Sequence, residues 1–86
     1  MPNKAMAYTR RAIAYGKSGQ HKNAIADCNI AIRLNPADAK AYRNRGLAYQ
    51  FTGKRDAAIA DFRKALSLGE KKARENLREI GAYAWE

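Results

Sequence analysis

Apolar positions along the chain recur with the spacing of amphipathic helices. Tyr8, Ala12 and Tyr15 follow one another at i, i+4 and i+7, which places them on one side of a helix. This stripe stops before Gly19, because glycine readily takes the left-handed conformation that ends a helix. A second apolar stripe ends before Pro36, since the residue preceding a proline is pushed out of the helical region. No useful length alternates with period two, so the chain is predicted to be all-α.

The sequence also repeats itself with a period of 34 residues. Residues 5–38 and 39–72 are identical at 13 of 34 aligned positions, and the break at Gly19 recurs at Gly53. The tail carries apolar residues at i, i+4, i+7 and i+11, the pattern of a fifth helix: Ala73, Leu77, Ile80 and Ala84. We therefore predict one domain with two helix-turn-helix units, about 5–38 and 39–72, followed by a capping helix at about 71–84.

The repeated residues carry a family resemblance. In the second unit, Tyr42-x2-Arg45-Gly46-x2-Tyr49 and then Ala58-x3-Phe62 resemble the pattern of the tetratricopeptide repeat (TPR), with Tyr for Trp and Arg for Leu. The matching residues of the first unit are Tyr8, Tyr15, Ala24, Ala31 and Pro36. Ala12 replaces the glycine there and Cys28 the aromatic residue, and Glu70 stands where a proline would close the second unit. The resemblance implies a right-handed α-α superhelix, a TPR solenoid.

The small residues give this resemblance a physical basis. Eighteen of the 86 residues are alanine, which suits closely packed helices. Ala12 and Gly46 are expected to face Ala24 and Ala58, so that the two helices of each unit approach closely and larger side chains fill the neighbouring gaps. A single hairpin cannot bury its apolar face, so the core is expected to form by stacking.

Charge is the most informative functional feature. Lys and Arg number 17 against eight Asp and Glu, a formal net charge of +9. The first helices, about 4–17 and 39–51, contain no acid and seven cations: Lys4, Arg10, Arg11, Lys17, Lys40, Arg43 and Arg45. The excess of positive charge is therefore expected to be directed at one surface.

The TPR resemblance implies a non-catalytic protein–protein interaction scaffold whose first helices line a concave, peptide-binding surface. Here that surface would be basic with an apolar floor of Ile13, Leu47 and Phe51, suited to an acidic peptide or a C-terminal carboxylate. The polar residues predicted to bind the peptide are Arg10, Lys17, Lys40, Arg43, Asn44, Arg74 and Arg78. Thr9 and Ile13 stand where a complete dicarboxylate clamp would need Lys and Asn, so a full clamp is not expected.

Three alternatives stay open at this level. The basic residues could form only a solvated face that keeps a small protein in solution. The chain could be a fragment, or a minimal or engineered repeat module that forms homo-oligomers, with Tyr83 and Trp85 as the contact. Nucleic-acid binding is the less favoured alternative, because no basic run exceeds two residues and the four repeat tyrosines are expected to be buried.

Catalysis, metals and cofactors are not expected. His21 is the one histidine and is predicted to serve at a helix start or in solvent, while Cys28 occupies an apolar stripe as an inert core thiol. No phosphate-binding glycine loop, nucleophile set or metal-ligand spacing appears. The longest apolar runs have four residues, so no membrane span is expected, and a cytoplasmic location is the simplest expectation without a signal peptide.

Overall fold

Five helices follow one another along the part of the chain that the structure describes. The computed structural model of the protein describes residues 4–82, in which there is no strand. The helices are α1 (Lys4–Lys17), α2 (His21–Leu34), α3 (Ala39–Phe51), α4 (Arg55–Ser67) and α5 (Lys72–Glu79). Each packs against the next, and α1 also contacts α3, so the two hairpins stack with their first helices side by side. The predicted all-α superhelix is thereby confirmed.

The two hairpins turn in the same way. Gly19 and Gly53 have φ angles of +80° and +81°, a region that side chains with a β-carbon rarely enter. In both turns the next backbone N–H reaches back to a helix carbonyl: Gln20 donates to Tyr15 and Lys54 to Tyr49, each at 2.8 Å. Because the sequence repeats, α1 and α3 end with the same capping hydrogen bond.

The connections that follow the second helices differ. After α2, Asn35 is extended before Pro36, and Asp38 then caps α3 by accepting a hydrogen bond from the Ala41 N–H at 3.1 Å. After α4, where Glu70 replaces the proline, Gly69 takes a φ of +100° and the Glu70 N–H donates to the Ala65 carbonyl. The departure from the repeat pattern therefore does change the junction with the cap.

The capping helix is shorter than predicted. α5 ends at Glu79, so the expected extension to residue 84 is wrong. Gly81 has a φ of +82°, and the Ala82 N–H donates to the Leu77 carbonyl at 2.8 Å, which stops the helix as Gly19 stops α1. Tyr83 and Trp85, the predicted self-association residues, lie outside the described residues.

The two units fill their cores differently at equivalent positions. In the second unit Phe62 is fully buried against Gly46, where an added β-carbon would lie 2.8 Å from Phe62 Cε1. In the first unit the same positions hold Ala12 and Cys28, both buried. The extra methyl group of Ala12 is accommodated because Cys28 is smaller than phenylalanine.

Candidate functional site

A groove runs between α1 and α3 on the side where the first helices meet. Its volume is about 500 Å³, and the start of α2 and the α4–α5 connection complete its wall. Ile13 and Leu47 supply half-buried apolar surface, and Phe51 leaves 72% of its surface exposed. The concave surface with an apolar floor expected from the sequence is therefore present as a groove.

Four of the predicted polar residues line this groove together. Lys17 comes from the end of α1, and Lys40, Arg43 and Asn44 come from the first half of α3. The Asn44 side-chain Nδ2 donates to the Lys40 carbonyl at 2.8 Å, which fixes the direction of the amide. Three cations and one oriented amide thus surround an apolar floor.

Neighbours outside the predicted set change the chemistry of the groove. Arg43 Nε donates to Asn76 Oδ1 on α5 at 2.7 Å, so one of its donors is already used and its side chain is tied to the cap. Glu70 and Lys72, near the start of α5, also line the groove. The groove is therefore not uniformly basic, because one carboxylate belongs to its wall.

The remaining three predicted residues lie elsewhere. Arg10 and Arg74 are exposed on α1 and α5, and neither lines the groove. Arg78 is exposed and stands 3.7 Å from Glu75 on its own helix, a loose surface pair. Matching by repeat position identified the right helices for these cations, but the direction of each side chain depends on how a helix is rotated in the stack.

An aromatic pair at one end of the groove was missed in the sequence. The rings of His21 and Phe51 stack with centroids 4.8 Å apart and planes 3° from parallel. His21 is the first residue of α2, which agrees with the predicted helix-start position, and it also lines the groove. The two residues are 30 positions apart and belong to different units, so no local spacing signals the contact.

Two of the seven cations counted on the first helices, Arg11 and Arg45, are bound inside their own hairpins. Arg11 pairs with Asp27 through Nε and Nη2 at 2.7 and 2.8 Å, and Arg45 pairs with Asp61 in the same way at 2.8 Å. Hydrogen bonding to Asp27 raises the pKa of Arg11, and hydrogen bonding to Asp61 raises that of Arg45. The surplus of positive charge on the first helices is therefore smaller than their composition suggested.

The repeat tyrosines flank these two arginines. The Arg11 guanidinium lies 5.7 Å from the ring centroids of both Tyr8 and Tyr15. Arg45 lies 5.5 Å from Tyr42 and 5.8 Å from Tyr49. All four rings are half-buried, so the prediction that they are buried is only partly right. The rings flank a cation and lie at distances at which cation–π attraction stabilises the pair.

Cys28 is a free, fully buried thiol. Burial raises its pKa to about 12, so the thiol stays protonated at neutral pH. This environment agrees with the predicted inert core thiol.

The described residues hold neither a cluster of metal ligands nor a membrane-spanning helix. Between residues 4 and 82, no three His, Cys, Asp or Glu side chains cluster as metal ligands. In the same range no helix has the length and apolar character needed to cross a membrane.

Comparison with known proteins agrees with the fold. A family model described as tetratricopeptide repeat matches residues 11–82, more than four fifths of the chain. A search of curated proteins found no significant match. The 34-residue period, the stacked hairpins and this match agree with one another, and the chain belongs to the tetratricopeptide repeat family, whose members are typically non-catalytic protein–protein interaction scaffolds.

Proposed function

We propose that the groove between α1 and α3 binds an acidic peptide segment of a partner protein. The observation that carries this proposal is the convergence of Lys17, Lys40, Arg43 and Asn44 around one apolar floor. Cations beside apolar surface favour a peptide that offers both carboxylates and apolar side chains. Arg10, Arg74 and Arg78 lie outside the groove lining, so the proposal now rests on the four residues that converge.

The floor and the rim have separate tasks in this proposal. An apolar side chain of the peptide packs on Ile13 and Leu47, and the exposed Phe51 ring, stacked on His21, offers a flat apolar surface beside them. Lys17 and Lys40 attract carboxylates as mobile point charges, whereas Asn44 keeps its Oδ1 for a peptide backbone N–H. The apolar floor contributes affinity by burying a side chain of the peptide, and the charged residues around it select a peptide that carries carboxylates.

Arg43 and Glu70 further restrict which peptide sequences fit the groove. Because Arg43 Nε is held by Asn76, its two Nη groups are left to face a carboxylate in an orientation set by α5. Glu70 and Lys72 line the wall near the start of α5 with opposite charges, so this end of the groove does not favour a carboxylate as the end with Lys17 and Lys40 does. A mixed sequence with its acids towards Lys17 and Lys40 therefore fits better than a uniformly acidic one.

Titration of the ¹⁵N-labelled protein with matched peptides tests the proposal. One peptide alternates Leu with Asp or Glu, and its control has Asn and Gln in place of the acids. We expect saturable shifts at Lys17, Lys40 and Asn44 with the acidic peptide and clearly weaker binding of the control. Equal affinity for the two peptides would contradict the proposal. Sequence-blind binding to single-stranded oligonucleotides with a steep dependence on salt would instead favour nucleic acid.

A further inference from the structure

Two aromatic rings from different repeat units meet at one end of the groove. His21 is the first residue of α2 and Phe51 the last residue of α3, and both line the groove. Their rings are stacked almost parallel, 4.8 Å apart between centroids. Phe51 nevertheless leaves 72% of its surface exposed, so the face of its ring that is turned away from His21 is open to water. A ring supported on one face and open on the other can stack with a further planar side chain.

The repeat does not require an aromatic ring at either position. One repeat earlier, the position of Phe51 holds Lys17, and one repeat later, the position of His21 holds Arg55. Lys17 and Arg55 are exposed, and they end α1 and begin α4 in the same way. The ring of Phe51 instead continues the apolar floor of the groove, and an apolar patch bordered by polar residues is typical of a binding surface.

Hydrogen-bonded turns hold both rings in place. Directly before His21, the Gln20 N–H donates to a carbonyl of α1 at 2.8 Å. Directly after Phe51, Thr52 Oγ1 donates to a carbonyl of α3 at 3.0 Å. The stacked rings thus join two capped helix ends, and a surface that is already ordered loses less entropy when a ligand binds.

Charge decides which planar side chain fits on Phe51. Arginine and the aromatic residues both stack on rings. Lys17 ends α1 as Phe51 ends α3, and the two helices lie side by side, so Lys17 stands at the same end of the groove. Lys22, which follows His21, is exposed beside it. These ammonium groups repel a guanidinium placed on Phe51, whereas they do not repel an uncharged aromatic ring.

Two other sources of a planar group are less favoured. The described chain does not lead into the groove, because Ala82 lies beside Arg55 and Ile59 of α4, and none of these three residues lines the groove. Binding of a nucleic-acid strand uses successive exposed rings. Between residues 4 and 82, the four repeat tyrosines are half-buried and Phe62 is buried, so only Phe51 offers an exposed ring.

We propose that the open face of Phe51 binds an aromatic side chain of the acidic peptide. The side chain stacks on Phe51 opposite His21, and the carboxylates of the peptide lie towards Lys17 and Lys40. This inference rests on the proposed function and adds to it an aromatic residue at one end of the bound segment. Phe51 selects the aromatic residue, and His21 positions the ring of Phe51.

Calorimetric titration with peptides that differ in one residue tests the inference. The acidic peptide that alternates Leu with Asp or Glu is compared with two peptides in which the Leu at one end or the other is replaced by Phe, a residue of similar hydrophobicity. We expect one Phe peptide to bind about two- to tenfold more tightly than the Leu peptide and to shift the Phe51 ring signals upfield in NMR spectra. Equal affinities of the three peptides would overturn the aromatic site and leave the groove as a peptide site. Failure of all three to bind would overturn the proposed function as well.

Phe51→Leu separates stacking from burial of apolar surface. This variant keeps an apolar side chain but removes the ring, so the Leu peptide should bind within about twofold of its affinity for the unchanged protein. The advantage of the Phe peptide should disappear, and an undiminished advantage would overturn the stacking. Leu34→Ala is the matched control, because it removes an exposed apolar side chain outside the groove and should leave the advantage in place.

The source of the planar group is tested in two ways. Tyr83 and Trp85 lie outside the described residues and are the aromatic residues that the chain itself carries beyond Ala82. Tyr83→Ser combined with Trp85→Ser should leave the affinity for the Phe peptide unchanged. A gain in affinity would show competition by these residues and overturn the choice of a partner's side chain. A single-stranded oligonucleotide should leave the Phe51 ring signals in place, and an upfield shift would overturn the choice of a peptide.

Discussion

The α-carbon of Gly46 faces the ring of Phe62 at a distance that leaves no room for a β-carbon. An added β-carbon would lie 2.8 and 2.9 Å from two ring atoms of Phe62 and 3.2 Å from the Ala58 carbonyl oxygen. Phe62 is fully buried, so its ring has little room to move. The glycine therefore sets how closely α3 and α4 approach.

Gly46→Ala is expected to destabilise the protein by about 1–3 kcal/mol, because overpacking outweighs the gain in helix propensity. Gly16→Ala is the matched control, since a β-carbon at this glycine of α1 meets nothing within 4 Å. It should be neutral or stabilise by up to about 1 kcal/mol. Urea unfolding followed by circular dichroism measures both, and similar stabilities of the two variants would contradict the close contact. Adding Phe62→Cys to Gly46→Ala, which copies the first unit, should relieve the clash.

The buried thiol of Cys28 makes stability depend on alkaline pH. Its pKa is raised to about 12, whereas the unfolded chain ionises this thiol from about pH 9. The stability that comes from burying the protonated Cys28 thiol is therefore fully present below about pH 9 and is lost as the pH rises towards 12. Relative to Cys28→Ala, the free energy of unfolding of the unchanged protein should fall by up to about 1.4 kcal/mol per pH unit in this window. Parallel curves for the two proteins, measured by urea unfolding, would show that the thiol is not protected.

At the scale of helices, the Arg–Asp pairs join the two helices of each hairpin at the same register. Arg45 also bonds Asn29, so in the middle of the stack one side chain connects α2, α3 and α4. Between residues 4 and 82, Arg11 connects only α1 and α2, and 58% of its side chain is exposed. The repeated arginine therefore connects more helices in the second unit than in the first.

Asp61→Asn should accordingly cost more stability than Asp27→Asn. The uncompensated Arg45 keeps little contact with water, and we expect a loss of about 2–3 kcal/mol. Arg11 regains hydration after Asp27→Asn, so the loss there should be distinctly smaller. The aspartates are similarly buried, which makes the variants a matched pair for thermal unfolding. Equal losses would contradict the argument from exposure of the arginine.

The sequence predicted the positions of the helices better than the contacts that their side chains make. The 34-residue period, with Gly19 and Gly53 at its turns, was sufficient for the hairpins and for the first helices at 4–17 and 39–51. The cap was predicted too long because its apolar stripe was extended through Gly81. The pairing of Arg11 with Asp27 was missed because the two residues lie on different helices, although its repetition at Arg45 and Asp61 was a usable signal.

At the scale of the whole molecule, the cations behind the net charge of +9 have different surroundings. Arg11 and Arg45 are neutralised within their hairpins, and Arg78 pairs loosely at the surface. Lys17, Lys40 and Arg43 line the groove together. The rotation of α1 and α5, which periodicity alone does not determine, decided that Arg10, Arg74 and Arg78 would lie outside it.

The most direct test of the central claim is the affinity of the acidic peptide for a charge-reversed groove, measured by calorimetry. Lys17→Glu combined with Lys40→Glu is compared with Lys22→Glu combined with Arg63→Glu, two exposed cations outside the groove. Both double variants lower the net charge by four, so a difference between them reports position and not total charge. We expect the groove variant to lose about tenfold or more in affinity with its helicity unchanged, and the control to bind within about twofold of the unchanged protein. Equal losses in the two double variants would contradict a peptide site in the groove.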